Sequence, residues 1–140
     1  MKILVTGGLG FIGSALIRLA LQQGHHIINL DAMTYASCQE NLGSVKDNKN
    51  YFFEYADVCN RKNLDVLFLK HSPDAVMHLA AESHVDRSIE SPTSFINTNI
   101  VGTFNILEAS LNYWQKAGKP KNFRFHHIST DEVFGSLEQD

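Results

Sequence analysis

What this sequence lacks narrows what it can be. It holds only two cysteines, Cys38 and Cys59, with no C-x-x-C spacing, so neither a disulfide scaffold nor a zinc or redox motif is indicated. It has no surplus of positive charge: 12 basic residues against 15 acidic ones leave a net charge of −3. The longest basic cluster, Lys116 to Lys121, is a small solvated patch, and no nucleic-acid partner follows from it. There is no internal repeat and no low-complexity tract. The apolar run Ile3-Leu4-Val5 stops at Thr6, which is too short for a secretory signal. No run approaches the length of about 20 residues that a membrane span needs. A soluble cytoplasmic protein is the expectation. Seven histidines include the doublets His25-His26 and His126-His127, but neighbours on a strand face opposite ways and make a poor metal clamp, so no metal is assigned.

What is present reads as one globular domain. The 140 residues are 44% hydrophobic and 19% charged, and a chain of this size buries roughly two-thirds of its unfolded surface. Short apolar runs alternate with helical patterns, the signature of βαβ units on a parallel sheet. Strands are expected at Lys2 to Thr6, Ile27 to Asp31, Tyr51 to Tyr55, Asp74 to Ala80 and Phe123 to Ser129. A helix from about Gly10 to Gln23 carries Phe11, Ala15, Leu16, Leu19 and Ala20 at helical spacing, and Gly24 ends it. Asn60 caps a helix carrying Leu64, Leu67 and Phe68. Residues 32–50 are polar turns. Ser91-Pro92 is expected to cap a helix that runs to about Lys116. That helix is apolar on two stripes, one through Ile96, Ile100, Leu107 and Leu111 and one through Gly102, Ile106 and Ala109. One stripe should cover the sheet and the other a partner subunit or further chain. The fold class is a Rossmann-like, doubly wound parallel sheet of order 3-2-1-4-5, incomplete at its C-terminal end.

The strongest chemical signal is Thr6-Gly7-Gly8-Leu9-Gly10-Phe11-Ile12-Gly13 between the first strand and the first helix. Glycines at 7, 10 and 13 permit a tight turn, close approach of a pyrophosphate, and close packing of helix on strand, and the helix N-terminus offers free N–H groups to phosphates. Asp31 closes the second strand 18 positions after Gly13, where a carboxylate accepts both ribose hydroxyls of an adenosine and repels a 2′-phosphate. NAD is therefore expected over NADP. Asp57 follows the third strand and can bond an adenine amino group, with Val58 packing on the ring, although an Asp there is commonly a turn residue. Leu79-Ala80-Ala81-Glu82-Ser83-His84 ends the fourth strand with small residues that leave space for a flat ligand or simply permit close helix packing. Ser129-Thr130-Asp131-Glu132 ends the fifth with a hydroxyl and two carboxyls, a set that suits general acid–base chemistry and equally suits a turn start.

Taken together, the segments Thr6 to Gly13, Asp31 to Ala36, His78 to Ile89 and His126 to Gly135 resemble the extended short-chain dehydrogenase/reductase family, across essentially the whole chain. The last two segments are similar to its nucleotide-sugar dehydratases. The resemblance implies NAD as cofactor and a nucleotide-activated glucose as substrate. It implies a redox-neutral dehydration in which Glu132 removes the C5 proton, Asp131 protonates the departing C6 hydroxyl, and Thr130 bonds the C4 hydroxyl region. It places Ser83 on the substrate and Thr98 on the cofactor side, and it adds Phe11, Ile12, Ala32, Met33, Thr34, Leu79 to Ala81 and Glu82 to the cofactor contacts. A homodimer through the helix after Pro92 is expected from the two apolar stripes of that helix.

Departures from the family pattern are Phe134 where Tyr is usual, and Ser37-Cys38-Gln39 where the loop usually reads Gly-Asn. The family's Tyr-x-x-x-Lys pair is missing, since none of Tyr35, Tyr51, Tyr55 and Tyr113 has Lys four positions later. Residues 1–140 are thus expected to be the N-terminal NAD-binding part, with the substrate domain and that pair outside it. Alone, the chain should bind NAD at most. Alternatives are another epimerase or dehydratase of the family, or a non-catalytic NAD-binding fragment.

Overall fold

The computed structural model describes residues 1–135. Five short apolar segments form strands β1 (Lys2–Thr6), β2 (His26–Asp31), β3 (Tyr51–Tyr55), β4 (Ala75–His78) and β5 (Arg124–His127). All four pairings are parallel, and the order is β3-β2-β1-β4-β5. The chain leaves β1 toward β2 on one side and returns to β4 on the other, so the topological switch point lies between β1 and β4. Ligands of open α/β sheets bind there, outside the carboxyl ends of the strands.

The central strands are buried on both faces, and side-chain alternation assigns each face its cover. Ile3, Val5 and Ile27 pack with Ile17, Ala20 and Leu21 of α1 (Phe11–Gln22). Leu4, Ile28, Leu30 and Val76 pack on the other face with Leu64, Leu67 and Phe68 of α2 (Arg61–His71). Phe68 is 1% exposed, and burying such a side chain stabilises the fold by about 1.5–3 kcal/mol. As expected, the Asn60 side chain caps α2 by accepting the Asn63 N–H at 3.2 Å.

Several boundaries differ from the sequence expectation. The first helix begins at Phe11 and ends at Gln22, one residue inside each expected end. Residues 39–42 form a 3-10 turn inside the expected polar stretch. A short helix, α3 (Val85–Glu90), precedes α4 (Pro92–Phe95), and Ser91 between them makes no side-chain cap. The residue is shared by the two helices: its N–H closes α3 on the Arg87 carbonyl at 2.8 Å, and its own carbonyl accepts the Ser94 hydroxyl at 2.8 Å. The helix then passes through a π-helical stretch, Ile96–Gly102, before α5 (Thr103–Lys116). Its two apolar faces are both present. Gly102, Ile106 and Ala109 are buried toward the sheet, whereas Ile100 and Leu107 remain 64% and 45% exposed.

β4 and β5 are shorter than expected, and the end of β4 turns to other work. β4 stops at His78, and the next two N–H groups, of Leu79 and Ala80, each reach the Thr6 hydroxyl at 3.1 Å. With both lone pairs of Thr6 Oγ1 so engaged, its one proton goes to His78 Nδ1 at 2.6 Å. A neutral imidazole that accepts at Nδ1 carries its proton on Nε2, which points at Thr103 Oγ1, 3.1 Å away. The His78 side chain is fully buried and stacks on His127 with centroids 5.2 Å apart. Burial, and secondarily the charge of His127, pushes its pKa from 6.5 down to about 4.

This depressed value sets the sign of a pH effect. The stability owed to neutral His78 is fully present above pH 6.5 and is lost as pH falls toward 4, because only the unfolded chain protonates readily in that window. Urea-unfolding midpoints measured from pH 7.5 to 4.5 should therefore fall more steeply for the natural chain than for His78→Asn. Parallel pH slopes for the two proteins would contradict the buried neutral assignment.

Candidate functional site

All five strands end on one side, which brings the glycine turn (7–10), the loop after β2 (32–38), Asp57-Val58-Cys59, residues 79–83 and residues 128–131 to one edge. Register confirms the last pairing: His78 lies opposite His127, and the Ile128 N–H donates to the His78 carbonyl at 3.0 Å.

The glycine turn is dictated by close approach. Gly7 has φ +70°, and a Cβ there would lie 2.8 Å from the Ala80 Cα and N. A Cβ at Gly13 would collide with the Gly7 carbonyl oxygen, so α1 could not pack so tightly on the turn. Gly10 is different. A Cβ there would meet only the Gly7 carbonyl, at 3.3 Å, so the fold itself asks little of this position and its bare backbone is open to a ligand. Gly10 precedes α1 without any capping side chain, and no acidic residue stands in the helix's first turn. The free N–H groups and positive dipole end of α1 are thus left for an anion. Phe11 and Ile12 are 89% and 63% exposed at this tip.

Asp31 is 6% exposed, and it organises its own loop. Its Oδ2 accepts the Leu9 N–H at 2.9 Å, and its Oδ1 accepts the Met33 N–H at 2.8 Å and the Ser37 hydroxyl at 2.7 Å. Three of the roughly four acceptor positions of a carboxylate are filled, which leaves one for a ligand rather than the two that a pair of ribose hydroxyls requires. Met33 takes φ +51° to make this turn, Ala32 is half-buried, and Thr34 is exposed. The residues present fit a dinucleotide: an uncapped helix end for the pyrophosphate, a bare Gly10, and a carboxylate at the end of β2.

The flanking loops are held from the helix that follows Pro92. Asn99 brackets Glu82, accepting its N–H at 2.8 Å and donating to its carbonyl at 2.9 Å. Asn105 donates to the carbonyls of Val58 and Cys59 at 3.3 and 3.0 Å. The Cys59 thiol donates to the Asn97 carbonyl at 3.3 Å; burial first, then the Asp57 carboxylate, push its pKa up to about 11 despite the Thr98 hydroxyl nearby. Thr98 is half-buried in the π-helical stretch. Tyr35 donates to Glu82 Oε2 at 2.9 Å, with the Arg87 guanidinium 3.9 Å over its ring, and so links the loop after β2 to the loop after β4.

One sequence expectation needs correction. Val58 does not offer its side chain to a ring, because it is 3% exposed and packed in the core over Gly102. Asp57 is exposed, and its carboxylate accepts the Cys59 N–H at 2.8 Å in a local turn. Leu79 and Ala80 are half-buried, whereas Ala81 and Ser83 are exposed. Thr130 and Asp131 are exposed, with the Thr130 hydroxyl 3.4 Å from Asp131 Oδ1. The side chain of Glu132 lies outside the described residues. Sequence reasoning missed Thr6, Ser37, His78, Asn99, Thr103 and Asn105. Only Ser37 carried a local signal, as a departure from the family loop.

Comparison with known proteins agrees with this geometry. The family model described as GDP-mannose 4,6 dehydratase matches residues 4–140. The chain is 56% identical to dTDP-glucose 4,6-dehydratase 1 of Escherichia coli K12, over 98% of this chain and 39% of the relative. Among solved structures, it resembles the dTDP-glucose 4,6-dehydratase DesIV of Streptomyces venezuelae with NAD bound, at 37% identity and TM-score 0.86, covering 100% of this chain and 42% of that one. It also resembles a UDP-glucose 4-epimerase of Thermotoga maritima, at 34% identity and TM-score 0.75, covering 89% and 37%. The chain spans about two-fifths of the length of the relatives it matches. It belongs to the GDP-mannose 4,6 dehydratase family of the extended short-chain dehydrogenases/reductases.

Proposed function

We propose that the whole protein is an NAD-dependent 4,6-dehydratase of dTDP-glucose and that these 140 residues are its NAD-binding part. The observation that carries this reading is the position of Thr130 and Asp131. They follow β5 directly beside residues 79–83, on the edge that holds the glycine turn. The identity to dTDP-glucose 4,6-dehydratases supports it.

NAD, when bound, supplies a reversible two-electron acceptor for the sugar. Phe11, Ile12 and Gly13 would hold the pyrophosphate with the free N–H groups of the first turn of α1, while Gly7 and Gly10, whose own N–H groups go to the Leu30 and Gly7 carbonyls, would let it approach the bare turn, and Asp31 with Ala32, Met33 and Thr34 would hold the adenosine ribose. Asp57 takes the adenine. Leu79, Ala80, Ala81, Glu82, Ser83 and Thr98 border the nicotinamide side, with Ser83 also on the substrate. Thr130 bonds the C4 hydroxyl region. A carbonyl at C4 acidifies the C5 proton, so a carboxylate suffices as base: Glu132 removes that proton and Asp131 gives one to the departing C6 hydroxyl. The product is a 4-keto-6-deoxy sugar, with water lost and no net oxidation. A 4-epimerase needs no such adjacent carboxyl pair, so Asp131 and Glu132 favour the dehydratase.

Alone, the chain is expected to bind NAD without turnover, since it holds no Tyr-x-x-x-Lys pair. A cytoplasmic location suits its two free cysteines. Among the described residues no helix is long and apolar enough to cross a membrane. The second apolar face of the helix after Pro92 supports a homodimer: Ile100, Phe104, Leu107 and Leu111 are 64%, 60%, 45% and 44% exposed on a helix whose other face is buried.

Two measurements on the full-length protein test these proposals. Asp131→Asn and Glu132→Gln should each lower turnover of dTDP-glucose about 100-fold or more while leaving NAD affinity unchanged; turnover within a few-fold of the natural enzyme removes the acid–base assignment. Sedimentation should show a dimer that Leu107→Glu dissociates, and a strictly monomeric natural protein would rule the interface out.

A further inference from the structure

The carboxylate of Asp31 is nearly saturated from within. Both acceptor positions of Oδ1 are occupied, by the Met33 N–H at 2.8 Å and by the Ser37 hydroxyl at 2.7 Å, and one position of Oδ2 is occupied by the Leu9 N–H at 2.9 Å. A vicinal diol needs two acceptor positions, and the carboxylate has about one to give. The second has to come from a neighbour. Ser37 is that neighbour. It spends its only proton on Asp31, so the lone pairs of its oxygen are left to accept. It is only half-buried. Its backbone is pinned where it stands, because its N–H donates to the Thr34 carbonyl at 3.0 Å and the next N–H, of Cys38, donates to the Leu9 carbonyl at 3.0 Å. Since the family loop usually reads Gly-Asn here, the hydroxyl is a feature of this chain rather than of the family pattern.

We propose that Ser37 is a specificity-determining residue of the ribose site. Its hydroxyl occupies an acceptor position of Asp31 and itself receives the ribose hydroxyl that Asp31 can no longer take. This rests on the dinucleotide reading given above. The arrangement reads a diol through a carboxylate and a serine in series. It stays hostile to a 2′-phosphate, because Ser37 could donate to a phosphate only by abandoning Asp31.

The test is a cycle of binding titrations on the natural chain, Ser37→Ala and Ser37→Thr. The probes are NAD and its two analogues lacking the adenosine 2′- or 3′-hydroxyl. The natural chain should lose about five-fold in affinity for each hydroxyl removed, the ordinary worth of one hydrogen bond. In Ser37→Ala one of the two losses should vanish and the other persist. Ser37→Thr, which keeps the hydroxyl, should retain both. Equal losses in the natural chain and Ser37→Ala, or tighter NAD binding by Ser37→Ala, would overturn the assignment by showing that the serine only competes for Asp31. Failure of the natural chain to bind NAD at all would instead strike the dinucleotide reading itself, and the role of Ser37 with it.

Discussion

At the carboxyl end of β1 a single hydroxyl, that of Thr6, takes the N–H groups of Leu79 and Ala80 and gives its own proton to His78, which hands the chain of bonds on to Thr103. This tie fixes how closely β1 and β4 approach where the strand order reverses. It pulls residues 79–80 onto the glycine turn, so tightly that Gly7 has no room for a Cβ. The same crowding continues into α1, where Gly13 sits against the Gly7 carbonyl. Each buried donor in the column would cost about 1–3 kcal/mol if left unpaired, so the geometry of the crevice is held by several such penalties at once. The position of α1's N-terminus follows from it.

The two loops beside the tie are set by side chains from elsewhere in the chain. Asn99 fixes the backbone of Glu82, and Asn105 fixes that of Val58 and Cys59, so one helix holds both the third-strand and fourth-strand sides of the crevice. Asp31 holds the second-strand side from within, through Leu9, Met33 and Ser37. Carboxylates gather at this edge, and the chain's answer is to satisfy them locally: Asp31 by its loop, Asp57 by the Cys59 N–H, Glu82 by Tyr35. The uncapped end of α1 is left as the place for an incoming negative charge.

Much of this was legible in the sequence, and the reasons differ by element. The central strands could be read because both their faces are covered, which forces near-continuous apolar runs such as Ile3-Leu4-Val5 and Ile27-Ile28. The glycine turn could be read because its spacing reflects local sterics. The two-faced helix could be read from its periods, but not its π-helical stretch, since propensity does not distinguish one helical winding from the other. The column of Thr6, His78 and Thr103 was invisible, because the first two are 72 residues apart and nothing local marks their meeting. Asp31 ends β2 as the sequence suggested, but nothing local marked Leu9, Met33 and Ser37 as the groups that fill its carboxylate. Val58 was misread because a valine after a strand can face core or crevice, and only Gly102, packed beneath it, decides which.

The account stands or falls on the crevice between β1 and β4 being a dinucleotide site. The direct measurement is calorimetric titration of this chain with NAD and, separately, with NADP. The account predicts saturable NAD binding, much weaker NADP binding, and loss of the NAD signal in Asp31→Ala. A folded sample that binds neither, or that binds both alike with and without Asp31, would contradict it.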